Sequence, residues 1–438
     1  MSRVADIAAA LAGYDPKALS VDGVQAFLAS LVEPAILRAR EPVPLFQALG
    51  RVLAEDVISP FDVPPHDNSA MDGFAFDGSV LDASSSEFVS LRVAGTALAG
   101  AAWRGTLTRG DALKIMTGAV MPAGFDTVVP QEFCTVDGDA VRFPANALRR
   151  GDNRRFAGED LKQGRPALLQ GERLMPAALG LLASLGQAEA CVFRRLRVAY
   201  FSTGDEILSL GEPPREGAVY DSNSYTVFGL LTRLGCEVVD LGMVRDDPAA
   251  LASALSDAAN KADAIITSGG VSVGEADHTR AVMRQLGDMA FWRVAMRPGR
   301  PMAVGLIPRT PGAADESGAT VLFGLPGNPV AVMVTFLAFV RPALLRLMGC
   351  NASNAAPPPM LRARSAGSIR KKPGRTEYQR GRVTCTPGTL PEVRIAGNQG
   401  SGVLSSMVEG NGLVVLHHAQ DSVSPGDEVD VMMFDGVI

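Results

Sequence analysis

Hydrophobic residues at helical spacing begin the chain, and a polar segment rich in turn-forming residues follows them. The stretch FLASLVEPAILRAR within residues 24–40 places apolar side chains three and four positions apart, which predicts a helix. We expect an interruption near Pro34, because proline has no backbone N–H to continue the helix. The segment 61–78, FDVPPHDNSAMDGFAFDG, concentrates Pro, Asp, Asn and Gly, which predicts a loop with one short embedded strand.

The next part of the chain alternates short β-branched runs with glycine breaks. The runs FVSLRVAG, DALKIMTGAV, DTVVPQEF and AVRF lie within residues 88–145 and predict a small β domain. A helix is predicted to follow over 175–186, MPAALGLLASLG.

From Leu196 the pattern changes to strands that alternate with helices. The apolar runs LRVAYFST, CEVVDLGMV and ADAIITSGG predict strands, and helices are predicted at about 223–234 and 248–260. This order predicts a parallel sheet with helices on both faces, whose ligands bind at the carboxyl ends of the strands. After the linker NASNAAPPP, residues 357–438 carry short strands and Gly/Pro turns, which predicts a β barrel or sandwich.

Composition excludes several classes of protein. With 438 residues, 47% of them hydrophobic and 20% charged, the chain is too apolar for general disorder and long enough for several domains. Its five cysteines include no C-x-x-C pair, so we expect neither a disulfide framework nor a thiolate zinc site, and a cytoplasmic location. The N-terminus lacks the apolar core of a signal peptide. Residues 321–340 are free of charge, but their Gly-Leu-Pro-Gly-Asn-Pro interruption predicts a buried core helix, not a membrane span.

The net charge of −6 argues against general affinity for nucleic acid, yet basic residues are concentrated in three groups. A solvated surface would explain any one group alone. Three such groups in an acidic protein favour a bound oxyanion or phosphate. The groups are Arg149, Arg150, Arg154, Arg155, Lys162 and Arg165; Arg293, Arg297 and Arg300; and Arg362, Arg364, Arg370, Lys371, Lys372, Arg375, Arg380 and Arg382.

The segment SGGVSVGEAD, residues 268–277, joins a predicted buried strand to a helix. Gly269, Gly270 and Gly274 leave room for backbone N–H groups to surround an anion. An ordinary sharp turn between strand and helix would explain the same glycines. The segment is neither a Walker A element nor a G-x-G-x-x-G element, which disfavours binding of ATP or NAD by those motifs.

Acidic residues follow several strands at the same predicted sheet edge. Carboxylates beside a phosphate repel it unless a divalent cation lies between them, and oxygen ligands suit Mg²⁺. The alternative is that some of these acids cap helices, which is strongest for Asp221 and Asp277. The four histidines show no zinc-ligand spacing. The acids are Glu206, Asp221, Asp246, Asp247, Glu275 and Asp277.

Nine segments, in order along nearly the whole chain, resemble the molybdopterin molybdenumtransferases, which include the bacterial MoeA proteins and the E domain of gephyrin. They are SAMDG, KIMTGAVMPAGFDTVVPQE, GED, STGDE, YDSNS, ITSGGVSVGEAD, RPGRP, GLPGNPV and NQGSGVLSSM. The resemblance implies an α/β and β multidomain protein. Its parts would be a discontinuous N-terminal helical linker and dimerisation domain (15–45 and 165–195), an inserted β domain (46–164), a molybdopterin-binding α/β domain with a parallel sheet (196–350) and a C-terminal β-barrel domain (357–438).

The resemblance also implies an activity. Members of the family insert molybdate at the dithiolene sulfurs of adenylylated molybdopterin and release AMP in a Mg²⁺-dependent hydrolysis, which is a step of molybdenum cofactor biosynthesis. We therefore expect a homodimer that receives its substrate from a molybdopterin adenylyltransferase and passes its product to molybdoenzymes or cofactor-delivery proteins. No nucleic acid or membrane partner is expected.

Site residues are carried over by motif. For catalysis they are Glu206, Asp246, Asp277, Asp72, Thr117 and Asp160, of which Glu206, Asp246 and Asp277 would also bind the metal together with Glu275. For the substrates they are Ser268, Gly269, Gly270, Ser272, Gly274, Arg293, Arg297, Pro298, Arg300, Pro326, Pro329, Arg380 and Ser401. Relatives commonly have lysines where this chain has Arg293 and RPGRP, and arginine where it has Ser224.

Two other functions fit parts of the sequence. A molybdopterin adenylyltransferase uses the same α/β domain, but the 195 residues before that domain and the β domain after it favour the insertion enzyme. A non-catalytic scaffold is the second alternative, since the gephyrin E domain also binds receptor tails. The acidic residues at the sheet edge favour catalysis.

Overall fold

The computed structural model describes residues 2–83, 86–271, 277–310 and 318–437, with the backbone only at Asp277. The chain divides into two compact units. Unit 1 comprises Met1–Glu55, Gln170–Leu179 and Glu189–Ile438, and unit 2 comprises Asp56–Leu169 and Gly180–Ala188. The finer division into four domains stays a prediction.

The N-terminal part of unit 1 contains helices α1 (Arg3–Ala10) and α2 (Val21–Val32) and strand β1 (Arg40–Pro44). The hydroxyl of Ser20 caps α2 by accepting a hydrogen bond from Gly23 N at 3.1 Å. A 3₁₀ turn, Glu33–Ala35, follows α2 and contains Pro34, which confirms a break at the predicted place. The helix does not resume toward Arg40 as predicted, because the backbone is already non-helical at Ile36. The apolar face of α2 is buried through Val24, Phe27, Leu28 and Leu31.

Unit 2 is built on a six-stranded sheet with the order β7-β4-β6-β5-β9-β8, which confirms the predicted β domain. In β4, Phe74 and Phe76 belong to one buried cluster and Ala75 to another, because successive side chains point to opposite faces of a strand. The elements of this region are β2 (Val57–Ile58), β3 (Asn68–Ser69), β4 (Gly73–Phe76), α3 (Ser79–Ala83), β5 (Phe88–Ala97), β6 (Asp111–Ile115), β7 (Thr127–Pro130), β8 (Thr135–Asp137), β9 (Ala140–Pro144), β10 (Arg154–Arg155) and β11 (Pro166–Leu168).

The α/β part of unit 1 contains a six-stranded sheet with the order β16-β13-β17-β21-β20-β18. Its core strands are almost fully buried, since helices cover both faces. Helix α4 (Pro176–Ser184) contains the boundary between the two units, after Leu179. The elements that follow it in unit 1 are β12 (Glu189–Phe193), β13 (Arg197–Thr203), β14 (Ile207–Leu208), β15 (Val219–Tyr220), α5 (Ser222–Leu234), β16 (Glu237–Val244), α6 (Pro248–Lys261), β17 (Ala264–Ser268), α7 (Asp277–Leu286), β18 (Asp288–Arg293), β19 (Met296–Arg297), β20 (Pro301–Pro308), β21 (Ala319–Leu325) and α8 (Pro329–Leu347). β12 pairs antiparallel with β1.

The sheet is mixed, whereas the sequence pattern predicted a parallel one. Strands β16, β13, β17 and β21 run parallel, but β20 is antiparallel to β21 and β18 is antiparallel to β20. The physical reason is the connection between β18 and β20, residues 294–300, because a parallel crossover needs a dozen or more residues. The start of β20 therefore lies beside the end of β21, with Ala303 opposite Gly324. This register brings the RPGRP turn to the edge where the parallel strands end.

Helix α8 is the longest helix of the α/β part, and it continues past a proline. Pro342 has no N–H for the carbonyl of Ala338, four residues earlier, and that carbonyl accepts a hydrogen bond from Gln25 Nε2 at 3.0 Å. Residues Phe336–Val340 form a π turn between two α-helical segments. Length and composition would allow α8 to cross a membrane, but 83% of its most apolar window is buried inside the protein. The predicted core helix is thus present and longer than expected.

The C-terminal part of unit 1 is a closed barrel. Its strands are β22 (Leu361–Ser365), β23 (Thr376–Thr384), β24 (Glu392–Ile395), β25 (Gly412–Leu416) and β26 (Glu428–Met433), with helix α9 (Ser405–Glu409) before β25. The order β23-β24-β22-β26-β25 closes because β25 also pairs with β23. Strand β19 adds to β23, with Arg297 opposite Glu377. The barrel, not the alternative sandwich, is the observed architecture.

We predict that Gln25→Met lowers the free energy of unfolding by about 1–3 kcal/mol, because the buried carbonyl of Ala338 then loses the hydrogen bond from Gln25 Nε2. Urea denaturation at constant pH measures the effect. Gln285→Met on the exposed face of α7 is the matched control and should leave the midpoint almost unchanged. Equal midpoints for the two variants would contradict the role given to Gln25.

Candidate functional site

The carboxyl ends of β13, β17 and β21 open onto a cavity of about 520 Å³, which we call the main cavity. The sheet register places Ser202 beside Ser268, and Ser268 beside Leu325, so that three strand ends meet at one wall. The main cavity is lined by Ser202, Thr203, Glu206, Ile207, Val219, Tyr220, Asp221, Ser222, Asn223, Ser268, Gly269, Gly327, Asn328, Pro329, Gly402 and Leu404. The location agrees with the sequence prediction that ligands bind at this edge.

Two of the predicted glycines form a tight turn directly after β17. Gly269 and Gly270 have φ angles of +91° and +67°, a region that favours glycine. A Cβ atom at Gly269 would lie 2.4 Å from the carbonyl oxygen of Thr203. This close approach explains why glycine is required at position 269. The predicted ligands Ser272, Gly274 and Glu275 lie outside the described residues.

A chain of buried hydroxyl groups lies below the glycine turn. The hydroxyl of Tyr200 is 2.7 Å from Ser268 Oγ and 2.9 Å from Ser202 Oγ. Ser202 Oγ donates to Asp221 Oδ2 at 2.6 Å, and Asp221 Oδ1 caps α5 by accepting from Ser224 N. We call Tyr200, Ser202, Ser268 and Asp221 the hydroxyl chain. Burial raises the pKa of Tyr200, so its phenol stays protonated at neutral pH.

The GLPGNP loop between β21 and α8 forms another wall of the main cavity. Asn223 Nδ2 donates to the carbonyl of Gly327 at 2.7 Å, and Val330 N donates to the carbonyl of Ser401 at 3.1 Å. Pro326 is buried, and Pro329 occupies the first turn of α8, where its missing N–H costs nothing. The predicted residues Pro326, Pro329 and Ser401 thus lie together around this loop.

The predicted acidic residues are only partly brought together. Glu206 lines the main cavity, and the pKa of Asp246 is raised by burial of its carboxyl and by the negative charges of Asp205 and Glu206. None of these three carboxylates forms an ion pair within the described part of the chain. The structure shows no cluster of three or more His, Cys, Asp or Glu side chains suited to a metal among the residues it describes. Asp277 begins α7, but its side chain is outside the described set.

Helix capping explains two of the other acids. Asp247 Oδ1 accepts from Ala250 N at 2.8 Å at the start of α6, and Asp221 caps α5 in the same way. For Asp221 this confirms the capping role considered from the sequence. Its second oxygen nevertheless belongs to the hydroxyl chain.

Arg380 is the most deeply buried of the predicted cationic residues, with 1% of its surface exposed. Nε donates to Ser406 Oγ at 2.9 Å, and Nη2 donates to the carbonyls of Asn398 and Gly400 at 3.1 and 3.0 Å. Burial, and then the charge of Arg297, lower the pKa of this guanidinium. Across the described residues, no carboxylate pairs with Arg380. Its contacts hold the segment that leads to Gly402 and Leu404 in the cavity wall.

The other predicted cations lie around the RPGRP turn. Arg293, Arg297 and Arg300 are exposed, and none of them contributes to the lining of the main cavity. The Arg297–Pro298 peptide bond is cis, and Pro298 is buried. Only Arg297 is close enough to Arg380 to affect its pKa.

The predicted residues Asp72, Thr117 and Asp160 belong to unit 2. Asp72 Oδ1 accepts hydrogen bonds from Thr117 N at 2.7 Å and from Thr117 Oγ1 at 2.8 Å, which lower the pKa of this exposed carboxyl. The structure therefore brings Asp72 and Thr117 together. Asp160 is exposed on the same unit.

The predicted site residues did not include Asn223, Thr203 or Tyr200, although Thr203 and Asn223 lie in the STGDE and YDSNS segments. The oxygen Oδ1 of Asn223 and the hydroxyl Oγ1 of Thr203 are buried and have no hydrogen-bond partner among the residues that the structure describes, although both residues line the main cavity. Asn223 lies in the YDSNS segment at the start of α5, and its position directly after a strand end could have indicated a ligand contact. Tyr200 lies inside an apolar strand and offered no such signal.

Three family models together match most of the chain. Residues 19–186 match the MoeA N-terminal region (domains I and II), residues 199–346 match the probable molybdopterin binding domain, and residues 362–434 match the MoeA C-terminal region (domain IV).

Individual relatives agree with these matches. The chain is 40% identical over 327 residues to the molybdopterin molybdenumtransferase of Haemophilus influenzae, covering 75% of this chain and 78% of that protein. It is 36% identical to the molybdopterin molybdenumtransferase of a Nostoc species, covering 74% and 72%. The crystal structure of the molybdopterin biosynthesis moeA protein from Pyrococcus horikoshii OT3 superposes with a TM-score of 0.74 at 26% identity, over 95% of this chain and 100% of that one. The chain therefore belongs to the molybdopterin molybdenumtransferase family, whose members act in molybdenum cofactor biosynthesis.

Proposed function

We propose that this enzyme inserts molybdate into the dithiolene of adenylylated molybdopterin, with Mg²⁺-dependent release of AMP. The observation that carries the proposal is Arg380, a buried guanidinium that no carboxylate neutralises within the described residues. A buried cation is costly unless a counter-charge accompanies it. An oxyanion substrate supplies that charge.

The geometry of Arg380 suits molybdate. Nε donates to Ser406 Oγ, and Nη2 donates to two backbone carbonyls. Nη1 has no hydrogen-bond acceptor within the described residues. A guanidinium nitrogen donates well to an oxyanion, and the charge of Arg297 nearby adds to the attraction. Arg300, Pro298 and Ser401 would complete the surroundings of the anion, and Arg293 would add charge at the edge.

The acidic residues suit part of a magnesium site. Glu206 and Asp246 would hold the ion together with Glu275 and Asp277, because carboxylate oxygens are the ligands that Mg²⁺ prefers. Burial of the carboxyl, and then the negative charges of Asp205 and Glu206, raise the pKa of Asp246, and a cation would relieve that repulsion. Bound Mg²⁺ would neutralise charge on the phosphoanhydride. Gly269 and Gly270 leave room for a phosphate beside the backbone, and Ser272 and Gly274 would extend that contact.

The cellular setting is part of the same proposal. We propose a cytoplasmic homodimer that takes its substrate from a molybdopterin adenylyltransferase and delivers its product to molybdoenzymes or cofactor-delivery proteins. Asp72, Thr117 and Asp160 of unit 2 would take part in catalysis. The five free cysteines of the described structure support a reducing compartment.

Arg380→Lys is expected to raise the molybdate concentration needed for half-maximal AMP release by about 10–100-fold, because a charge-assisted hydrogen bond is worth about 1.5–3 kcal/mol. The assay varies molybdate at saturating adenylylated molybdopterin. Arg382→Lys is the matched control, since Arg382 lies on the same strand, is exposed, and within the described residues its side chain donates a hydrogen bond only to the carbonyl of Glu409. An unchanged molybdate requirement in a folded Arg380→Lys protein would refute the assignment.

Glu206→Ala and Asp277→Ala should each abolish Mg²⁺-dependent AMP release, because each removes a ligand of the proposed ion. Chromatography of AMP from purified adenylylated molybdopterin measures this, with Glu212→Ala on an exposed turn as the control. Normal release by both variants would reject the acid assignment. Formation of pyrophosphate from ATP and molybdopterin by the wild type would instead support the adenylyltransferase alternative.

A further inference from the structure

A second cavity, of about 250 Å³, lies between α5 and the outer edge of the α/β sheet, and we call it the edge pocket. The sheet register places Tyr200 of β13 directly opposite Asp240 of β16. Within the described structure, the edge pocket and the main cavity share no lining residue. The edge pocket is lined by Tyr200, Ser224, Tyr225, Phe228, Val238 and Asp240.

The two faces of β16 pack on different helices. Val238 packs on the buried cluster that contains Tyr200 and the inner face of α5. Val239 and Leu241 pack instead on the cluster beneath α6. Because successive side chains of a strand point to opposite faces, Asp240 follows Val238 onto the α5 face. Its carboxylate therefore lies under α5, at the edge pocket.

Strand β16 is an edge strand of this sheet. Among the strands that the structure describes it pairs only with β13, and residues 237–240 keep a regular register. The backbone groups on its outer side therefore point away from the sheet, and such an edge can accept a further strand. Side chains of an added strand would alternate as those of β16 do, so one of them would lie beside Asp240 under α5.

Two aromatic side chains of α5 border the same pocket. Tyr225 and Phe228 lie three residues apart and therefore share one face of the helix. They are 59% and 55% exposed, so much of each ring is open to a ligand. The face of an aromatic ring carries a partial negative charge and attracts a cation.

Asp240 adds a full negative charge at this place. Its Oδ1 accepts from Gly242 N at 2.8 Å, and the described part of the chain offers the carboxylate no ion pair. Burial raises the pKa of the Tyr200 phenol, and the negative charges of Asp221 and Asp240 raise it further. The edge pocket is thus both aromatic and negative, which suits the ammonium of a lysine or the guanidinium of an arginine.

The strand edge and the pocket together narrow the choice of occupant. Two β16 strands that paired antiparallel through residues 237–240 would place the carboxylates of both copies side by side, and like charges in that position destabilise a pair of strands. A free organic cation would leave the strand edge unused. An extended segment of another protein uses the edge, the rings and the carboxylate at once.

We propose that β16 and the edge pocket form a docking site for an extended segment of a partner protein. The backbone of the segment pairs with β16, and one lysine or arginine side chain lies between Tyr225, Phe228 and Asp240. The inference goes beyond the proposed reaction and does not depend on it, since these residues have no part in the proposed chemistry.

Two synthetic peptides with blocked ends test the proposal. Each has threonine and valine residues around a central arginine or a central glutamine. In calorimetric titrations of the full chain, the arginine peptide should bind about tenfold more tightly, because glutamine offers hydrogen bonds without the charge. Asp240→Asn and Phe228→Ala should each remove most of this preference. Equal affinity of the wild type for the two peptides would overturn the proposal.

Glu237→Gln is the matched control for Asp240→Asn. Glu237 is exposed on the same strand, lies on the opposite face and pairs with Arg197 at 3.5 Å, so its variant should keep the preference. An equal loss in both variants would contradict a role of the pocket, since any negative charge on β16 would then suffice. Ser224→Arg should also weaken the arginine peptide, because the new guanidinium competes for the pocket. If Phe228→Ala does not fold, Asp240→Asn and Ser224→Arg still decide the question.

Three further measurements separate the possible occupants. The arginine peptide with N-methylated valines cannot pair as a strand, and undiminished binding would overturn the role of the β16 edge. Acetyl-arginine amide should bind about tenfold more weakly than the peptide, and equal binding would assign the pocket to a free organic cation. Sedimentation should show the same oligomeric state for wild type and Phe228→Ala. Dissociation of that variant would assign the surface to a contact between copies of this chain and overturn the proposal.

Discussion

The acceptor-only character of one carboxylate determines much of the site. Asp221 ends the strand-to-helix connection before α5, and its two oxygens serve different elements: Oδ1 fixes the first turn of α5, and Oδ2 accepts from Ser202 on β13. Because the carboxylate of Asp221 accepts hydrogen bonds and cannot donate them, Ser202 must be the donor to Asp221. The donor of each further hydrogen bond in the hydroxyl chain is then determined in turn. Sheet, helix start and cavity wall are thereby fixed by one side chain, and the buried chain is fully satisfied except where it meets the cavity.

The sequence predicted well those features that depend on local chemistry. The interruption of the first long helix at Pro34, the glycine turn at Gly269 and the caps of α5 and α6 each follow from the conformational limits of a few neighbouring residues. The antiparallel strands β18 and β20 were not predicted, because strand direction depends on the length of the connection and on pairing with distant residues. Asn223 was missed for the same reason: its anchor, Gly327, is more than a hundred residues away.

Opposite charges are separated within unit 1. Burial of its carboxyl, and then the negative charges of Asp205 and Glu206, raise the pKa of Asp246. Burial, and then the charge of Arg297, lower the pKa of Arg380. Direct pairing of these acids with these arginines would satisfy both groups, yet the described residues show none. Each group therefore keeps a charge that no side chain of opposite sign pairs with among the described residues, and the cost is greatest for the buried Arg380. In the reaction that we propose, a cation would compensate the acids and an oxyanion would compensate the arginines.

The C-terminal barrel contributes the buried Arg380 and part of the wall of the main cavity to the proposed site. A guanidinium that is 1% exposed must be desolvated by a rigid surrounding, and β23 supplies it by pairing with β24 and β25 and with β19 of the α/β part. Arg380 in turn holds the loop at 398–404 by donating hydrogen bonds to the carbonyls of Asn398 and Gly400. Gly402 and Leu404 of this loop line the main cavity. Lysine could supply the charge but not these simultaneous contacts, because a guanidinium donates in fixed, divergent directions. The barrel thus sets the position of a cavity wall as well as the charge beside it.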